Sequence, residues 1–63
     1  MNKEETIKQI LEAEKLLDVH PNTEARAEFY HNNSHNVLLG VLSAKQMLLK
    51  AKGFKLTSFG WKK

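Results

Sequence analysis

Residues 30–36 read YHNNSHN. Two histidines, three asparagines, a serine and a tyrosine lie between the charged segment TEARAEF and the apolar run VLLGVL. How this stretch is read decides the fold. His, Asn and Ser are mediocre helix formers, each costing roughly 0.5–0.7 kcal/mol against Ala. Six of them in a row approach 4 kcal/mol by the same scale, about enough to interrupt a helix without tertiary support. The register points the other way. Tyr30, Ser34, Val37, Val41, Ala44, Leu48 and Ala51 follow alternating steps of four and three, with no phase slip through the polar run. Neither Gly nor Pro interrupts residues 23–37. The register favours one long helix over about residues 23–52. The alternative is two helices, about 23–31 and 35–52.

On either side the signals are clearer. Residues 3–18, KEETIKQILEAEKLLD, carry Ile7, Ile10, Leu11 and Leu17 at helical spacing. Asn2 is placed to cap the first turn, with Glu5 three residues on, and Glu4 and Glu5 suit the positive end of the helix dipole. The break falls at residues 19–22, VHPN. Pro21 disfavours helical geometry at His20, and Asn22 is an alternative cap. So short a connection makes the next helix an antiparallel neighbour. At the far end, Gly53 fits the left-handed position after a helix, with Phe54 as the apolar residue that follows and Lys50 and Lys52 in the last turn. The tail, residues 53–63, holds Phe54, Leu56, Phe59 and Trp61. It is too apolar to stay in water and is expected to pack on a helix in extended or irregular form.

These elements predict an all-α single domain over residues 1–63. Its form is an antiparallel helical hairpin with a long second helix and an apolar C-terminal tail. A length mismatch follows. The first helix would be roughly 24 Å long and the second roughly 45 Å. The uncovered half would be the most apolar part of the chain, and each aliphatic side chain left wet forfeits about 1.5–3 kcal/mol. A second copy is the simplest cover, giving a dimeric helical bundle. The expected interface is Val37, Leu38, Gly40, Val41, Leu42, Ala44, Leu48 and Leu49. Gly40 costs about 0.8–1 kcal/mol inside a helix, and with Ala44 it would let a partner backbone come close. A monomeric three-helix bundle is the alternative.

Composition narrows function more by exclusion than by assignment. The 63 residues contain no cysteine, which removes disulfides, zinc–thiolate sites and a Cys nucleophile. Neither a glycine-rich phosphate loop nor a Ser–His–acid arrangement can be found, so no enzyme and no cofactor are expected. His31 and His35 have the four-residue spacing that puts two imidazoles on one helical face. They are the weak candidates for a metal, but no carboxylate lies near to complete a site, and none is expected to bind. Asn32-Asn33-Ser34 matches a glycosylation acceptor, discounted because no secretory signal accompanies it. The longest apolar run, residues 37–42, is far short of the roughly 20 needed to cross a bilayer, so no membrane role and a cytoplasmic location are expected.

The net charge of +3 conceals an asymmetry. Every acidic residue lies at or before Glu28, whereas residues 31–63 carry six lysines and no acid. A lysine-rich helix end and tail that complement the dipole account for this most simply. An anionic partner is the competing reading. The expected contact surface is Lys50, Lys52, Lys55, Phe59, Trp61, Lys62 and Lys63. Nine of the ten bases are Lys rather than Arg, the better fork for phosphates and bases. The sequence therefore favours a small regulator or inhibitor that binds another, acidic protein. Its Lys- and Asn-rich composition suits a low-GC bacterium or its phage. The alternative is a nucleic-acid-binding accessory protein, with lysines on phosphates and Phe59 or Trp61 stacking on bases.

Overall fold

The structure is a computed structural model and describes residues 2–18 and 23–63. The turn expected at residues 19–22 lies outside the described residues. The chain is mostly helical with a small two-stranded sheet: α1 (Lys3–Leu17), α2 (Thr23–His31), α3 (His35–Ala51), β1 (Lys55–Thr57) and β2 (Gly60–Lys62).

The long second helix does not form. YHNNSHN ends one helix and starts the next. The Asn33 backbone N–H donates to the Tyr30 carbonyl at 3.1 Å, while the Asn33 side-chain amide donates to the Phe29 carbonyl at 2.8 Å. The Lys3 ammonium reaches across from α1 to the His31 carbonyl at 2.8 Å. The last carbonyls of α2, which a helix end leaves without partners, are thus satisfied from outside the helix. Ser34 then takes an extended conformation, and its hydroxyl accepts from the Val37 N–H at 3.3 Å, an N-cap. Asn and Ser side chains compete for backbone groups, and here that competition prevails over the unbroken register.

The break folds α3 back beside α1, and the contacts give the directions. Thr6 meets His35, Ile7 and Ile10 share a cluster with Leu38 and Leu42, and Ala13 and Leu17 share one with Leu49. Helices α1 and α3 therefore run parallel, with α2 antiparallel to both: Arg26 and Tyr30 sit against Glu14, and His31 ends beside Lys3. The three helices are those of the alternative reading, here arranged up-down-up, with a β-hairpin added. The length mismatch disappears with the long helix. Leu38, Leu42 and Leu49, expected at an interface between copies, are instead 0–5% exposed within this chain. Each forfeits its place in that interface because α1 already covers it.

The caps follow the sequence elsewhere. The Asn2 side chain accepts from the Glu5 N–H at 2.8 Å, and Asp18 closes α1 in the left-handed conformation at φ 57°. Gly53, at φ 94°, turns the chain out of α3, and the Phe54 N–H returns to the Leu49 carbonyl at 3.0 Å. The tail is more regular than expected. Lys55 pairs with Lys62, Leu56 with Trp61 and Thr57 with Gly60 in an antiparallel hairpin. Strands of three residues are not stable alone. Trp61 and Phe54 secure them by packing on the Ala13–Leu17–Leu49 cluster.

Candidate interaction surface

The hairpin lies along α1. A shallow open pocket of about 170 Å³ between them is lined by Gln9, Glu12, Leu56, Gly60 and Trp61. Residues opposite one another in a hairpin share a face. Leu56 and Trp61 share one with each other, and Trp61 is the half-buried residue that packs inward. Lys55 and Lys62, both exposed, share the other face, which is turned to solvent. Like charges directly opposite in a hairpin destabilise it. This pair does nothing for the fold.

The turn between the strands is Ser58-Phe59. The Phe59 N–H donates to the Thr57 hydroxyl at 3.2 Å, which itself donates to the Gly60 carbonyl at 2.7 Å. Gly60 sits at φ 103°, where a side chain would strain the backbone. These constraints fix the turn and hold Phe59 at its tip, 88% exposed, the most exposed of the large apolar side chains described. Leu56 is 63% exposed beside it. Lys50, Lys52 and Lys63 are also exposed, around the open end of the hairpin rather than its turn. Lys63 sets its ammonium 5.2 Å from the centre of the Phe54 ring. Among the described residues both ion pairs converge on Glu14, and none involves a lysine of this surface.

The expected lysines therefore gather where α3 passes into the hairpin, whereas Phe59 stands at the other end of the hairpin, beside Gly60 and close to Glu12 of α1, and one expected residue changes role. Trp61 is largely occupied in holding the hairpin to the helices. Leu56, unremarked in the sequence beyond its apolar character, joins Phe59 instead. The period-2 alternation that would have revealed it spans only three residues per strand.

The expected interface residues divide in two. Val37, Gly40, Ala44 and Leu48 are exposed on the side of α3 away from α1, with Val41 half-buried at its edge. Met47, 69% exposed, belongs with them. His31 and His35 fall in different helices, on either side of the break, so the shared helical face required for chelation does not exist. The Thr6 hydroxyl donates to the Asn2 carbonyl at 3.0 Å, leaving a lone pair to accept from His35 Nε2 at 3.0 Å. Among the described residues no group of three or more His, Asp or Glu side chains is placed to hold a metal. No described helix is long and apolar enough to cross a membrane.

The helices also enclose a buried polar cluster that the sequence barely signals. Glu14 is 1% exposed in the middle of α1. It accepts a hydrogen bond from the Tyr30 hydroxyl and pairs with Arg26 at 3.5 Å and Lys45 at 3.6 Å, so one carboxylate joins all three helices. Burial, then the hydrogen bond to Glu14, pushes the Tyr30 phenol above its usual range. The hydrogen bond from Arg26 to Tyr30 at 2.7 Å, together with the Glu14 charge, holds the guanidinium more firmly protonated than usual. Glu14 occupies a core position in the helical repeat, next to Ala13 and Leu17. A charged residue on the buried side of a helical pattern is the only trace the cluster leaves in the sequence.

Comparison with family models, with curated proteins and with solved structures finds no match.

Proposed function

We propose that this protein is a small, non-enzymatic binding module, a regulator or inhibitor that acts by docking its basic hairpin end on an acidic surface of another protein. The observation that carries this reading is Phe59, exposed at a constrained turn of a hairpin whose lysines, with Lys50 and Lys52, enter no ion pair among the described residues. An exposed lysine–carboxylate pair contributes only about 0–1 kcal/mol. Several such lysines steer an acidic partner, and the apolar tip supplies the specific contact, about 1.5–3 kcal/mol if Phe59 is fully covered. The alternative, a nucleic-acid accessory protein, is supported by the same lysines with Phe59 stacking on a base.

Titration against a labelled polyglutamate peptide and against a short DNA duplex separates the two. The protein reading expects the peptide to bind, with Phe59→Ser weakening it about tenfold, equivalent to roughly 1.4 kcal/mol. Preference for the duplex, with affinity falling steeply in salt, would transfer the assignment to nucleic acid. Binding of neither probe would remove the basic end as the working surface.

A further inference from the structure

Helix α3 has two apolar stripes. Leu38, Leu42 and Leu49 face α1. The second stripe, Val37, Gly40, Ala44, Met47, Leu48 and Ala51, is exposed along its whole length and contains no charge. At 1.5 Å per residue it is roughly 21 Å long. Gly40 has no role in the chain's own packing: a Cβ built there meets nothing within 4 Å. A helix-interior glycine is destabilising against Ala, and nothing within the fold offsets it.

The order of side chains in this stripe is self-complementary. We infer that two copies of the chain pair through it, antiparallel, about a two-fold axis at Ala44. In that register Gly40 of one copy shares a layer with Leu48 of the other, and Val37 with Ala51. Val41, at the edge, shares one with Met47, and Ala44 faces its own copy. Small residues stand beside large ones in the outer layers, and the smallest contact falls where the helices cross. A parallel pairing would put Gly40 on Gly40 and Leu48 on Leu48, a void followed by a crowded layer.

Charge selects the same orientation. The stripe ends at Lys50 and Lys52, next to the lysine-bearing hairpin, whereas Glu4, Glu5 and Glu28 are exposed on elements that end beside the start of α3. Parallel copies would bring both basic ends together. Antiparallel copies separate them and turn each toward the partner's end that carries Glu4, Glu5 and Glu28 beside Lys3. The stripe itself offers an acidic or basic protein nothing to pair with, which favours a second copy over a charged partner. One helix face is small beside the 1,200 Å² or so that marks a standard interface, so the dimer is expected to dissociate at about 10–100 µM. This pairing does not depend on the function assigned to the hairpin.

Sedimentation equilibrium and cysteine crosslinking test it in the full chain, which contains no native cysteine. The expected result is a mass approaching twice 7.2 kDa as concentration rises through that range. Ala44→Glu sets two carboxylates face to face across the axis and should abolish the dimer, while circular dichroism keeps the helical signal of the wild type. Ala44→Cys should oxidise readily to a covalent dimer. Val37→Cys or Leu48→Cys alone should not, because antiparallel pairing keeps each far from its own copy. A wild-type monomer up to about 1 mM would overturn the proposal, since association weaker than that is not specific. So would a dimer that persists in folded Ala44→Glu, or crosslinking of Val37→Cys and Leu48→Cys as fast as Ala44→Cys.

Discussion

The two faces of α3 have similar side chains and different fates. Leu38, Leu42 and Leu49 are sealed against α1 at 0–5% exposure, whereas Val37, Met47 and Leu48 remain 50–69% exposed on the other side. Hydrophobicity alone does not distinguish them. What does is the partner helix: α1 is one helix wide, so it covers one stripe of α3 and leaves the other. The inner stripe should therefore govern stability, and the outer stripe association. A substitution that reversed those effects would break the comparison.

The largest effect is expected on the inner face. Leu38→Ala should cost about 2–5 kcal/mol by urea denaturation, through lost burial and the cavity left behind. Glu14→Ala should cost about 3 kcal/mol, the low end for opening a buried ion pair, because Arg26 and Lys45 can still reach water. A single denaturation series compares both, and a loss under about 1 kcal/mol for either would place the core elsewhere.

Alkaline pH gives an intermediate effect. Tyr30 ionises later in the folded chain than in the unfolded one. Its contribution is complete below the ordinary phenol range, near pH 10, and is lost as pH rises from there through the raised folded value. The steepest slope that one proton allows is about 1.4 kcal/mol per pH unit. Tyr30→Phe should remove this limb of the stability profile, and an unchanged limb would assign it to another group.

Smaller again is the cap. Ser34→Ala removes the acceptor for the Val37 N–H and should cost about 1 kcal/mol in thermal unfolding. The smallest change belongs to the outer face. Leu48→Ala should alter the stability of dilute protein by no more than about 0.5 kcal/mol. A loss comparable to that of Leu38→Ala would mean that the two faces are not different in kind.

The sequence was most legible where a local cause acts alone. Asn2 caps α1, Gly53 ends α3 in the left-handed conformation, and helix α1 closes at Leu17, one residue from its expected end. YHNNSHN was legible only as a choice. Its propensities and its register disagreed, and the register misled because the three residues between α2 and α3 happen to preserve helical phase. The stripe that argues for a continuous helix is largely the outer one: beyond Tyr30, none of its members is buried. The lysines and Phe59 of the proposed contact surface are visible in the sequence. The hairpin that carries Lys55, Phe59 and Lys62 is not, because strands this short carry almost no periodic signal.

By itself the sequence determined the helical character of the chain, the ends of α1 and the close of α3, and the separation of acid from base along it, because each depends on residues within a few positions of one another. Only the tertiary structure decided which apolar stripe of α3 is covered, that α1 and α3 run parallel, and that a glutamate in α1 is buried among groups from α2 and α3. Those outcomes depend on which distant surfaces meet, and that is set when the chain reverses at Asn32–Ser34 and one helix must choose a side.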